Sequence, residues 1–248
     1  MNIVVSFKVV PDDQDIQVAG DGSLDFSKAH RIVSAYDLNA LEAAAQLASD
    51  NEGSTTCAVT VGASKIDDSK LKKNILARGI DTLVMRADDA YADMDAHATA
   101  EALASVLSGM DYDLVICGDG SADNYAQQVD VQLASKLGLP VVNAVTKITA
   151  KDGAVEVERT LEDVVEVPLP AVISVTPDVA IPRIPGMKDI LAAGKKPMDV
   201  AGADVAPANV IEVVSCKAPE QADRKLEILD ASADGAIEKF AAALKAAL

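Results

Sequence analysis

Tryptophan is absent and aromatic residues make up only 3% of this 248-residue chain. A core built from it must rely on small and branched side chains, and half the residues are apolar, mostly Ala, Val, Leu and Ile. That composition suits close packing of helices on a sheet, and the length suffices for one large domain with appendages. Cysteine is scarce: Cys57, Cys117 and Cys216 are odd in number and far apart, with no C-x-x-C or Cys/His spacing. This argues against a zinc site and against a disulfide framework, and places Cys57 and Cys117 in apolar runs as small core residues. The two histidines, His30 and His97, lie far apart, and no G-x-S-x-G nucleophile motif accompanies them. No residue stands out as a general base or nucleophile.

Positive charge is also short. Lysine and arginine number 22 against 39 acidic residues, a net charge of −17. Such a balance excludes nucleic-acid backbones and anionic membrane surfaces as partners, and reads either as solubility or as an acidic docking face. No apolar run reaches transmembrane length, and "MNIVVSFKVV" lacks the basic start and cleavage site of a signal peptide. The expectation is a cytoplasmic protein.

What is present is an alternation of strands and helices. Residues 2–10, 55–63, 81–87, 112–118 and 140–149 read as strands rich in β-branched residues. Between them, 36–49, 67–78, 95–110 and 123–137 read as amphipathic helices, with Gly79 as a stop signal after the second. "QVAGDGSLDFS" reads as a short hairpin turning at Gly20–Gly22. Near-continuous apolar strands between such helices predict an α/β fold with a doubly wound, mostly parallel sheet. Residues 153–176 alternate apolar and polar, the mark of strands half exposed to water. A proline-rich stretch follows to residue 197, and then short extended runs to 229. The last helix, 233–248, carries Ile237, Phe240, Ala241 and Leu244 on one face. The expected division is a nucleotide-binding domain over 1–197 and an arm plus helix over 198–248. That arm either grips another protein or folds back on its own domain.

Ligands of open parallel sheets sit at the carboxyl ends of the strands, near the point where strand order reverses. Lys8–Pro11, Val61–Ala63, Arg86 and Gly118–Asp123 are therefore candidates. In "CGDGSADNYAQQVDVQLASKLGLP" (117–140), Gly118 and Gly120 are expected to allow positive φ and close approach of a phosphate. A following helix start would add orphan N–H groups, with Ser121, Gln127 and Gln128 as neutral partners. Asp119 and Asp123 oppose an anion, and Asp123 reads instead as an N-cap. Lys8 reads either as a phosphate contact or as a solvated lysine. By itself the loop fits a nucleotide site or a tight turn. The lysine of a P-loop and the paired glycines and second serine of an ATP-pyrophosphatase loop are missing.

The ordered set of motifs is more specific. "FKVVPD" (7–12), "SAYDLNALEAA" (34–44), "VTVGAS" (59–64), the 117–140 stretch, "VERTLED" (157–163), "LPAVISVT" (169–176) and "IPRIPGMKDILAAGKKP" (181–197) resemble the β, or small, subunit of electron transfer flavoproteins, closest to the FixA-like branch. The resemblance implies a heterodimer with an α subunit that holds most of an FAD, and AMP or a second FAD in β. It also implies electron transfer from a flavin dehydrogenase, of acyl-CoA or carnitine-type metabolism, to another redox acceptor, with or without bifurcation. Carried over by position, the nucleotide site takes in Ser6, Ser34, Ala35, Tyr36, Asp37, Val61, Gly118, Asp119, Gly120, Ser121, Ala122, Asp123, Asn124, Tyr125, Ala126, Gln127, Gln128 and Val129. Here Ser34 stands where the family usually has Asn, and Ala35 where it has Pro. The segment with Ile184, Pro185 and Met187 matches the family's partner-recognition loop, Met187 being the apolar anchor. A carboxylate that helps hold the α subunit falls within 162–166, as Asp163 or Glu166. The alternative from another class is a nucleotide-sensing stress protein of the same fold, whose G-x-x-G and later G-S/T are not found after Gly120.

Overall fold

The computed structural model describes residues 1–161, 163–220 and 226–247. Its strands are β1 (Asn2–Ser6), β2 (Val9–Pro11), β3 (Gln17–Val18), β4 (Leu24–Asp25), β5 (Arg31–Val33), β6 (Thr55–Gly62), β7 (Thr82–Ala87), β8 (Leu114–Gly118), β9 (Val141–Lys151), β10 (Ala154–Arg159), β11 (Val164–Pro168), β12 (Ala171–Val175) and β13 (Met198–Ala201). Its helices are α1 (Ala35–Asp50), α2 (Ser69–Leu76), α3 (Ala96–Leu107), α4 (Val129–Leu137), α5 (Met187–Ala193) and α6 (Ala236–Ala247).

Nine strands form one sheet in the order β11-β10-β9-β12-β8-β1-β6-β7-β13. The run from β9 to β13 is parallel, and β10 and β11 add an antiparallel edge. This is the expected α/β class. Alternation along β1 shows how the layers arise. Ile3 and Val5 face α1, packing with Leu41 and Ala44, while Val4 faces α3 and α4 with Leu103 and Leu133. Both faces of the central strands are covered, so "LVICG" and "AVISV" need no polar alternation. Alanines 40, 44 and 45 of α1 are buried and let the helix lie close to the sheet. Each fully buried Leu or Ile adds roughly 1.5–3 kcal/mol.

Three elements differ from the sequence reading. β12 is buried at every position and parallel between β8 and β9, whereas the half-exposed pattern belongs to β10 and β11. The sheet also takes in Met198–Ala201, paired in parallel with β7, beyond the expected boundary at residue 197. Finally α4 begins at Val129, not at Asp123. Tyr125 at φ 44° and Gln127 at φ 53° are left-handed, which a continuing α-helix does not permit.

The chain divides into two compact units, Met1–Gln17 with Asp25–Ser215, and Val18–Leu24 with Cys216–Leu248. In the second, Ser23 bridges Lys217 and the Ala218 amide donates to the Gly22 carbonyl. Its helix α6 leaves Ile237, Phe240 and Leu244 exposed. Residues 221–225 of the expected arm and Leu248 of the expected last helix lie outside the described residues. Among the described residues, no helix is long and apolar enough to cross a membrane.

Candidate functional site

Strand order reverses between β1 and β8, because β1 leads on to β6 on one side while β8 lies on the other. Their carboxyl ends, Ser6 and Gly118, open into a crevice with a cavity volume of about 120 Å3. Ser6, Asp37, Val61, Gly118, Asp119, Gly120, Ser121, Asn124, Ala126, Gln127, Gln128 and Val129 all line it. Ser34, Ala35, Tyr36, Ala122, Asp123 and Tyr125 do not, although several of them hold the lining in place.

Asp37 ties the two strand exits together. Its Oδ2 accepts a 2.7 Å hydrogen bond from the Lys8 amide at the end of β1. On the β8 side, a Cβ on Gly118 would lie 2.5 Å from Asp37 Oδ1 and 3.2 Å from the Tyr36 backbone, so only glycine fits. Burial pushes the Asp37 carboxyl up to about 7, against hydrogen bonds from the Lys8 and Gly118 amides that favour the ionised form. Ser6 turns its hydroxyl into the core, donating to Cys117 Sγ at 3.2 Å. Burial raises the Cys117 thiol to about 12, so it is no nucleophile at neutral pH.

Residues 119–128 fold over the crevice as a loop. The Ala122 amide donates to Ser34 Oγ at 3.2 Å, and the Tyr125 ring meets Tyr36 at a centroid distance of 5.1 Å. The expectation of positive φ at Gly118 and Gly120 is corrected here. Neither is left-handed, and both are glycine because of close neighbours. A Cβ on Gly120 would come within 2.3 Å of the Tyr125 ring. Asp123 does not cap a helix; it pairs with Lys8 Nζ at 2.8 Å, and the Lys8 side chain stays 41% exposed. Although burial pushes the Asp123 carboxyl up, the Lys8 hydrogen bond and its other donors outweigh this and hold it below its ordinary value.

Asp119 is different. Its Oδ2 accepts from the Tyr125 hydroxyl at 3.1 Å, but Oδ1 is buried without a hydrogen-bond partner. Burial raises this carboxyl above its ordinary range. A buried acceptor left unpaired costs about 1–3 kcal/mol, so a donor group from a ligand would be favoured there.

The sequence reading missed the crevice wall contributed by Met94, Asp95, Ala96, Thr99 and Leu103 at the start of α3, and by Asp130 in α4. Asp95 caps α3 by accepting from the Ala98 amide at 2.8 Å, and also accepts from the Val210 and Ile211 amides. An Asp immediately before an alanine-rich helical run is an N-cap signal that could have located this wall. Asp130 accepts a short hydrogen bond from Ser174. Four carboxylates (Asp37, Asp95, Asp119 and Asp130) thus face the crevice against one lysine, which is already paired. Side-chain charge does not attract phosphate here. The amides of Asp119, Ala122, Asn124 and Tyr125 are already donating, which leaves the other amides of the loop and of the first turn of α4 as candidate anion donors.

The proline-rich segment presents Ile184 at 94% exposure and Met187 at 78%, with Pro185 half-buried. Asp163 pairs loosely with Arg159 at 3.7 Å, and Glu166 is exposed on β11. Glu162 lies outside the described residues.

Residues 22–206 match the family model of the electron transfer flavoprotein domain, and the chain belongs to that family. It is an electron transfer flavoprotein subunit with a role in electron transfer. Membership implies a flavin or nucleotide cofactor and assembly into heterodimers.

Proposed function

We propose that this chain is the β subunit of a FixA-like electron transfer flavoprotein, holding AMP or a second FAD in the crevice between β1 and β8. The observation that carries this reading is the crevice itself. It lies at the strand-order reversal, is covered by the loop 119–128, and contains the unpaired acceptor Asp119 Oδ1. That residue set fits a nucleotide if its donor-bearing part meets Asp119 and its phosphates meet the remaining amides of the loop and α4, away from the four carboxylates. When bound, flavin supplies the redox chemistry. The chain's own residues hold and orient the cofactor, and electron transfer asks no general base or nucleophile of them.

An FAD shared with the α subunit completes the carrier. It takes electrons from a flavin dehydrogenase of acyl-CoA or carnitine-type metabolism and passes them to another redox acceptor. The segment with Ile184, Pro185 and Met187 docks the dehydrogenase, and residues 202–248, beyond the last sheet strand, grip the α subunit. Supporting this, Val210, Ile211, Val213 and Val214 leave apolar side chains exposed, and so do Ile237 and Phe240 of α6. A carboxylate of the edge hairpin, Asp163 or Glu166, helps hold the α subunit.

The test is to co-express the chain with its α subunit, denature the purified complex, and count cofactors. One FAD and one AMP indicate a simple carrier, while two FAD without AMP indicate a second flavin in the crevice. A complex without flavin overturns the proposal.

A further inference from the structure

The segment from Ile181 to Leu191 sets a physical problem. Ile181, Ile184, Met187 and Leu191 are 89, 94, 78 and 70% exposed. Burying these four side chains would be favourable, so a backbone that keeps all of them in solvent needs support. Here it is held by polar groups of α1 and of the turn that follows α2. Asn39 Nδ2 donates to the Pro177 and Ala180 carbonyls at 3.1 and 2.8 Å. One turn further along α1, Glu42 accepts from Arg183 three times: from Nε at 2.6 Å, from Nη2 at 2.9 Å and from the backbone N–H at 3.1 Å. Gln46 Nε2 steadies the same carboxylate at 2.8 Å. Arg78 Nη1 donates to the Arg183 carbonyl at 2.6 Å, so both backbone polar groups of Arg183 are fixed.

The charges make Glu42 the keystone. Arg78 and Arg183 repel each other, and Glu42 is the anion that offsets both. Burial pushes its carboxyl up, but the Arg183 and Gln46 hydrogen bonds outweigh this and hold it below its ordinary value. Bidentate, charge-assisted bonds of this kind are short and directional. Gly79 fits the same arrangement. It is left-handed at φ 88°, and a Cβ there would lie 2.8 Å from Arg183 Nη1.

We propose that Glu42 is a positioning residue for electron transfer. By fixing the Arg183 backbone it makes Ile184 and Met187 stand in solvent, where an apolar pocket of the partner dehydrogenase can receive them. The inference rests on reading 181–191 as the docking segment. Glu42 is only 5% exposed, so any effect of its substitution on docking must pass through the groups around it, of which Arg183 alone belongs to the segment.

The test uses the heterodimer and an acyl-CoA dehydrogenase chosen because it reduces the wild-type complex. Glu42→Gln should speed amide hydrogen exchange over 183–191 by roughly tenfold. It should also raise the dehydrogenase concentration for half-maximal rate several-fold, with kcat and flavin content unchanged. Arg183→Lys, which keeps the charge and loses the bidentate bond, should shift both in the same direction by less. Unchanged exchange overturns the clamp. Faster exchange without a half-saturation shift, while Met187→Ala does shift it, overturns the positioning role and leaves the docking reading standing. If Met187→Ala and Glu42→Gln both leave half-saturation unchanged, the docking reading fails and the proposal with it. Should Glu42→Gln not fold, Arg183→Ala removes the same clamp from a side chain that is 42% exposed, and the same outcomes apply.

Discussion

The crevice and the 181–191 segment are both organised by α1, and they use its polar residues in opposite ways. The first turn, from Ser34 to Asp37, points its hydrogen bonds into the crevice, where they fix the ends of β1 and β8 and the covering loop. Asn39 and Glu42 hold a backbone from below so that its apolar side chains face water. In the crevice, then, the floor residues Ser6, Ser34, Asp37 and Asp130 are themselves buried, beneath a loop whose residues 122–128 are exposed. In the segment only the supports are buried. The difference teaches where substitutions should register: inside the crevice as stability and cofactor content, along the segment as partner affinity.

The largest effect is expected at Asp37. Its folded-state pKa of about 7 lies above the ordinary value of 3.8 that the unfolded chain approaches. The folded state therefore binds the proton more tightly, so this contribution to stability is complete below pH 4 and is lost as pH rises through 7. The loss is at most about 4 kcal/mol. Asp37→Asn should flatten the pH dependence of the urea midpoint between pH 4 and 7. An unchanged slope would place the titration elsewhere and break the picture of a buried crevice floor. The smallest effect is expected in the segment. Ile184→Ser and Met187→Ala, at solvent-exposed positions, should change stability by no more than about 0.5 kcal/mol. A loss well above that, in the same urea titrations, would show that the segment packs on its own domain and erase the contrast.

How far the sequence revealed all this depends on the range of the interactions. The parallel sheet was legible because doubly covered strands such as "LVICG" are continuously apolar, a local signal. The late start of α4 was not, because Tyr125 and Gln127 adopt left-handed backbone without the glycine that normally marks it. Gly118 and Gly120 were singled out for the wrong reason. Their neighbours, Asp37 and the Tyr125 ring, are brought to them by tertiary folding, and no local pattern records a missing Cβ. The reach from Glu42 to Arg183 spans 141 residues and was invisible in the same way. Met187, by contrast, was noticed through the resemblance of its segment and stands exposed.

The central claim is that the crevice beside Gly118–Gln128 holds the nucleotide, and Gly120→Val tests it most directly. The added side chain must displace the Tyr125 ring, which is 44% exposed, so the loop moves while the sheet and its helices stay intact. The measurement is the nucleotide released per chain on denaturing wild type and variant, with circular dichroism confirming the fold. The account predicts about one nucleotide per chain from wild type and little or none from Gly120→Val. Equal content in the two proteins would contradict it.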